Sequence, residues 1–167
     1  MQIRNETPAD IEAVRSLNLA AFDGAAESRL VDGLRENAEP LISLVAEDDG
    51  VIVGHILFSP VIHSQDADLK MMGLAPMAVA PDRQMSGIGS ALAREGLERC
   101  RAMGVAGVVV LGHPQYYPRF GFVPSSEFGI VSEYDVPEDV FMVLELEPGA
   151  LQNRSGRVHY HREFSNL

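Results

Sequence analysis

Residues 77–103, MAVAPDRQMSGIGSALAREGLERCRAM, constrain the chain more than any other stretch. An apolar run suited to a short strand (Met77-Ala78-Val79-Ala80) is broken by Pro81-Asp82-Arg83. Gln84-Met85-Ser86-Gly87-Ile88-Gly89 then opens into a segment rich in Ala, Leu, Glu and Arg, which predicts a helix over Gly87–Met103. Strand, glycine loop and helix in that order make an anion site. The first N–H groups of a helix have no intrahelical partner and lie at the positive end of its dipole. Gly87 and Gly89 carry no Cβ, so the backbone can approach a bulky diphosphate and visit positive φ without a steric penalty.

The spacing sorts the ligands. A P-loop needs Gly-Lys-Ser/Thr, and the only lysine is Lys70, upstream of the loop, which excludes ATP by that route. A dinucleotide fingerprint needs a third glycine where Leu92 stands, and the following strand ends in Leu111-Gly112-His113, with no acid for a ribose; a nicotinamide dinucleotide is therefore a weak alternative. What remains, Gln84-x-x-Gly87-x-Gly89, resembles the pyrophosphate-binding signature of the GNAT superfamily, the acyl-CoA-dependent N-acyltransferases. One helix and one strand further on, Tyr117-Pro118-Arg119-Phe120-Gly121-Phe122 resembles that superfamily's Tyr-x-x-x-Gly-Phe element. Ile3-Arg4 with Thr7-Pro8-Ala9-Asp10 resembles its opening strand and first helix. The resemblance spans Ile3 to Leu146.

It implies an α/β fold of the α+β type: a mixed, mostly antiparallel sheet with a splayed parallel strand pair, flanked by helices. Residues 1–147 would form the domain and 148–167 an extension packing on it. A chain of 167 residues with 46% hydrophobic content suits one core. Patterning predicts a strand over Met1–Asn5 and a helix from Thr7 or Asp10 to about Phe22, burying Ile11, Val14, Leu17 and Ala21. A second helix, Ala25–Glu36, turns Leu30, Val31 and Leu34 inward and Glu27, Asp32 and Arg35 outward. Leu41–Glu47 and Val51–Val61 form a hairpin across Asp48-Asp49-Gly50. Leu69–Val79 is a strand interrupted by Pro76, which donates no ladder hydrogen bond; in GNAT proteins this strand splays from its parallel neighbour and the CoA arm enters the gap. Val105–Leu111 suits the buried parallel neighbour, with Gly121–Pro124 and Val140–Glu147 as the last strands and Ser125–Asp139 as a loop. In the tail, Val158, Tyr160 and Phe164 read as apolar anchors. His159-Tyr160-His161 has no partner at metal-ligand spacing, and no metal is expected.

A formal net charge of −11 opposes nucleic acid but not CoA, because a helix terminus and Arg83 can hold a diphosphate on an acidic protein; it also favours a cationic amine acceptor. The chain has no apolar run of about eighteen residues and no basic-then-apolar leader, so no membrane role and a cytoplasmic location are expected. Cys100, the single cysteine, sits at helical spacing from Leu92, Gly96 and Met103 and reads as a small buried hydrophobe. Exposed edge strands are compatible with a homodimer.

The resemblance also implies the chemistry, transfer of an acetyl group from acetyl-CoA directly to a primary amine of a small molecule or protein. Gln84, Met85, Ser86, Gly87, Ile88, Gly89 and Ser90 would hold the diphosphate. Met77, Ala78 and Val79 would bind the pantetheine arm and thioester, with N–H groups around Ala78 and Val79 polarising the carbonyl. Tyr117, with an ordinary phenol pKa of about 10, would touch the cofactor and protonate its departing thiolate; Tyr116 is the neighbouring alternative. Leu74–Val79 carries no carboxylate, so the base is open. Glu27 and His113 are its candidates beside His55 and His63, and an amine of low pKa needs none. The competing reading on the same fold is a non-catalytic acyl-CoA-binding or regulatory module.

Overall fold

The computed structural model describes residues 1–166. β1 (Gln2–Asn5) pairs antiparallel with β2 (Ile42–Asp48), which turns through Asp49 and Gly50 into β3 (Val51–His63). Both turn residues take positive φ, 52° and 78°, the geometry that Asp-Gly tolerates and that matches the twist of a hairpin. The hydrogen-bonded strand order is β1-β2-β3, then β4 (Asp66–Val79), β5 (Gly107–Leu111), β8 (Phe141–Glu145) and β6 (Val123–Pro124). The sheet is mixed and mostly antiparallel, with β4 and β5 parallel, as expected. The chain divides into two compact units, and β3 and β4 each run through both.

The first unit comprises Met1–Ser59, Ala75–Arg99 and, among the described residues of the tail, 162–166. Alternate residues of β3 serve its two faces. On one face Leu57 joins Val45, Val14 of α1 (Ile11–Ala21) and Leu30, Val31 and Leu34 of α2 (Ala26–Asn37) in a single apolar cluster, with Phe164 packed against it. On the other face lies α3 (Ile88–Ala102). A Cβ at Gly54 would fall 2.8 Å from Ile88, and one at Gly96 would fall 2.2 Å from the Phe58 ring, so these glycines set how closely helix and strand approach. The expectation that Asp32 and Arg35 face solvent fails. Arg35 reaches both Glu6 (2.8 Å) and Asp32 (2.8 Å), and Asp32 also accepts from Arg15 (3.0 Å), a network that ties α2 to α1 and to the residue after β1. Sequence distance hid these partners.

The second unit comprises Pro60–Leu74 and Cys100–His161. β4 pairs with β5 from Met71↔Gly107 to Gly73↔Val109. The parallel ladder stops there, although β4 continues to Val79 and β5 to Leu111. Residues Ser125–Asp139 are more ordered than the loop predicted for them. They hold a 3-10 turn (Ser125–Phe128) and a strand, β7 (Ile130–Ser132), parallel to β9 (Gly156–His159), which in turn pairs with the end of β3. A three-residue strand shows no periodicity, and its partner lies in the tail. Val158 and Tyr160 are buried, as expected of anchors, and the Tyr160 ring packs onto Gly73, where a Cβ would be 2.7 Å away. Cys100 is fully buried, and burial alone pushes its thiol up to about 12.

Candidate functional site

Past the end of β4 the chain makes a 3-10 turn, Pro81–Arg83, and the glycine loop begins. Met85 and Gly87 both take positive φ, 62° and 90°, and alternation of this kind is the backbone pattern of an anion-binding nest. The loop is held by its own ends. Gln84 Nε2 donates to Val79 O (3.3 Å), Ser86 Oγ donates to Arg83 O, and Gly87 O accepts from Ala91 N (3.0 Å) in the opening bond of α3. Ile88 is buried and anchors the helix start, while Gln84, Met85, Ser86 and Gly87 are exposed; Gly89 and Ser90 are partly covered. A Cβ at Gly87 would meet nothing within 4 Å. The glycine is thus required by its φ and faces open space, not neighbouring protein. Exposed main chain at the positive end of a fifteen-residue helix fits a diphosphate. Arg83 is already engaged, its Nη1 2.8 Å from Asp48 Oδ2, and it holds Asp48 below the ordinary carboxylate range.

On β4 itself, Ala78 is buried and Met77 and Val79 are half-buried. Ala80 N donates to Val53 O of β3 (2.9 Å). Successive N–H groups of an extended strand point to opposite edges, so the Val79 N–H is directed away from β3. Pro76 has no N–H, and the neighbouring ladder has already ended.

Tyr117 is built by different means. The buried run Val108–Val110 ends at Leu111-Gly112, where Gly112 N donates to Val140 O (3.0 Å). The His113 carbonyl accepts from the N–H groups of Tyr116 and Tyr117 and starts the 3-10 turn Tyr117–Phe120. Gly121 closes that turn at φ 102°, and the reversal brings Phe122 back edge-on to the Tyr117 ring at 5.6 Å. This is the physical content of the Tyr-x-x-x-Gly-Phe spacing. The Tyr117 ring is 8% exposed, stands perpendicular to Tyr116 at 5.0 Å, and lies so close to Gly112 that a Cβ there would be 2.3 Å from its Cε2. Burial, with a smaller contribution from Tyr116, pushes its phenol up to about 12, which keeps the proton on at neutral pH. Tyr116 instead lies under the Arg119 guanidinium, 4.2 Å from its ring centre.

The candidate bases differ sharply. Glu27, in the first turn of α2, is half-buried, and its Oε2 is shut off from solvent with no hydrogen-bond partner among the described residues. His113 is exposed. His55 is wholly buried, its Nε2 2.9 Å from Ser43 Oγ, and burial together with Arg35 pushes its imidazole down to about 3. His63 is committed at both nitrogens, to Arg154 O (2.6 Å) and Gln65 N (3.1 Å). His159 lies 3.5 Å from Glu133, a carboxylate brought from the β7 side that spacing could not reveal, and no group of three potential metal ligands occurs among the described residues. The glycine loop and Glu27 belong to the first unit, Tyr117 and His113 to the second. Sequence reasoning passed over Gly112, which seats Tyr117, and Asn18 and Ser59, which are fully buried polar residues. Asn18 carried a signal, a polar residue at core spacing from Val14 and Leu17.

Comparison with known proteins agrees with this architecture. Residues 2–124 match the family model described as an acetyltransferase (GNAT) domain. The N-acetyltransferase YhbS of Escherichia coli K12 is 37% identical over 168 residues, covering 100% of both chains. A crystal structure of the E. coli YhbS protein in complex with CoA superposes with a TM-score of 0.92 at 36% identity, covering 98% of this chain and 91% of that one. A GNAT family acetyltransferase of Brucella melitensis in complex with acetyl-CoA gives 0.79 at 37% identity, covering 98% and 97%. The chain belongs to the GNAT acetyltransferase family.

Proposed function

We propose that the protein transfers the acetyl group of acetyl-CoA directly to a primary amine, with Tyr117 as general acid. The observation that carries the reading is the glycine loop, whose exposed main chain, positive φ at Met85 and Gly87, and position at the start of α3 suit a diphosphate. The related structures with CoA and acetyl-CoA support that choice of ligand. Gln84 to Ser90 hold the diphosphate through main-chain N–H groups. Met77, Ala78 and Val79 line the pantetheine arm, and the Val79 N–H, directed away from β3, hydrogen-bonds the thioester oxygen.

Acetyl-CoA supplies an activated acyl carbon and a thiolate leaving group. At that carbon the amine nitrogen forms the new C–N bond as the C–S bond breaks. Tyr117 Oη gives its proton to the sulfur, Glu27 takes the proton lost by the amine, and solvent carries that proton back to restore the phenol. A phenol held up at about 12 is protonated throughout the neutral range, so Tyr117 meets the sulfur carrying its proton. Glu27 is the base of choice over His113, because its Oε2 is shut off from solvent with no partner among the described residues, whereas the imidazole of His113 stands in solvent. A cytoplasmic location belongs to the same reading, since the donor is an intracellular metabolite.

The test is release of free thiol from acetyl-CoA in the presence of a panel of primary amines: polyamines, aminoglycosides, amino acids and peptide termini. Amine-dependent release that falls by about 10² or more in Tyr117→Phe supports the proposal. Tight acetyl-CoA binding with no amine-dependent release, and no effect of Tyr117→Phe, would establish the non-catalytic module in its place.

A further inference from the structure

The peptide that joins Tyr116 to Tyr117 is held at both of its polar groups. Its N–H, that of Tyr117, donates to His113 O (3.4 Å). Its carbonyl, that of Tyr116, accepts twice from Arg119: from the main-chain N–H (3.3 Å) and from the side-chain Nε (2.8 Å). The shorter of these two bonds comes from an exposed side chain. Pro118, between the two residues, has no N–H to contribute.

The same side chain also holds the ring of Tyr116. Its guanidinium carbon lies 4.2 Å from the ring centre, a cation stacked on an aromatic face. The Tyr116 ring in turn stands perpendicular to that of Tyr117 at 5.0 Å and edge-on to Phe120 at 5.4 Å. Arg119 therefore grips Tyr116 by backbone and by ring, and both contacts pass on to Tyr117, one through the shared peptide and the other through the ring edge. A planar guanidinium can stack and donate from Nε together, whereas the single ammonium of a lysine is a point charge that serves one contact at a time. Ion pairing does not account for the placement. The chain carries 24 aspartates and glutamates, yet none lies within ion-pair distance of Arg119 among the described residues.

We propose that Arg119 is a positioning residue for acyl transfer: it fixes the Tyr117 phenol through Tyr116 and touches neither the acetyl group nor the sulfur. The inference rests on Tyr117 being the general acid, and it names the residue that holds that acid in place.

Arg119→Ala and Arg119→Lys, each alone and combined with Tyr117→Phe, provide the test. Three quantities are read on each protein: kcat from thiol release, acetyl-CoA affinity from titration, and the Tyr117 ring resonances of a ¹³C-tyrosine-labelled chain, identified by their loss in Tyr117→Phe. In Arg119→Ala the Tyr117 resonances should move and kcat should fall by roughly tenfold, with acetyl-CoA affinity held within about twofold. Arg119→Lys should lose less, since it keeps a cation for the ring. In the Tyr117→Phe background neither substitution should lower kcat further. Unmoved Tyr117 resonances or an unchanged kcat in Arg119→Ala would overturn the proposal. So would a tenfold loss of acetyl-CoA affinity at wild-type kcat, which would make Arg119 a cofactor-binding residue, or a further fall in kcat in the Tyr117→Phe background. Wild-type kcat in Tyr117→Phe alone would sink the acid assignment instead, and the resonances would still report whether Arg119 holds the ring, so the two failures are distinguishable.

Discussion

Gly112→Ala tests the placement of Tyr117 without touching the phenol. The added Cβ would stand 2.3 Å from Tyr117 Cε2 and 2.8 Å from Cδ2. Ordinary carbon–carbon contact begins near 3.5 Å, so the ring or the backbone must give by about 1 Å. The ring has little room to turn, since Tyr116 and Phe122 hold it edge-on from two sides and only 8% of it is exposed. Overpacking of this kind costs about 1–3 kcal/mol of stability, which thermal denaturation will show. Displacing a catalytic group by about 1 Å costs roughly 10² in rate, so kcat falls by about that factor while acetyl-CoA affinity is retained. Thiol release with saturating acetyl-CoA and the best amine of the panel reads kcat, and calorimetric titration reads the affinity. The double variant with Tyr117→Phe should be no slower than Tyr117→Phe alone, because both act through one proton. A folded Gly112→Ala protein with wild-type kcat would refute the assignment of Tyr117 as acid.

Further outcomes follow from other parts of the molecule. Gly87→Ala, at φ 90° with no neighbour within 4 Å, meets only its own backbone conformation; it should weaken acetyl-CoA binding by about tenfold while costing about 1–2 kcal/mol of stability, read by titration and denaturation. His55 is neutral when buried, with its imidazole down at about 3 against an ordinary 6.5, so the unfolded chain binds the extra proton and stability falls as pH drops through that window. Between neutral pH and about pH 5 that amounts to roughly 2 kcal/mol, and the loss should disappear in His55→Gln when urea denaturation is followed against pH. Cys100, fully buried with its thiol pushed up to about 12, should resist a disulfide-exchange reagent in the native protein and react at once in denaturant; rapid native reaction would contradict its packing.

The parts of this molecule legible in the sequence are those written by local physics. Asp49-Gly50 announces its hairpin, Gly87 its loop and Gly104 (φ 78°) the end of α3, because each conformation is set by one or two residues. The apolar faces of α1 and α2 were readable from their spacing for the same reason. What escaped depends on partners far apart in the chain. Arg35 was assigned to solvent because Glu6 is 29 positions away, and β7 was read as loop because its mate, β9, lies in the tail. In the site, Gln84-x-x-Gly87-x-Gly89 and Tyr117 stood out through their motifs, while Gly112 did not. Nothing beside it in sequence shows that an aromatic ring five positions on will fold back over it. Glu27 reads in the sequence as an ordinary solvated helix residue, and only the fold shows its Oε2 buried with no partner among the described residues.

A crystal structure of the protein with acetyl-CoA decides whether the glycine loop and Tyr117 serve one cofactor. Diphosphate oxygens are expected within about 3 Å of main-chain nitrogens between Gly87 and Ser90, and the thioester sulfur within hydrogen-bonding reach of Tyr117 Oη. Acetyl-CoA bound with its diphosphate elsewhere and the glycine loop bare, or with the sulfur remote from Tyr117, would contradict that placement.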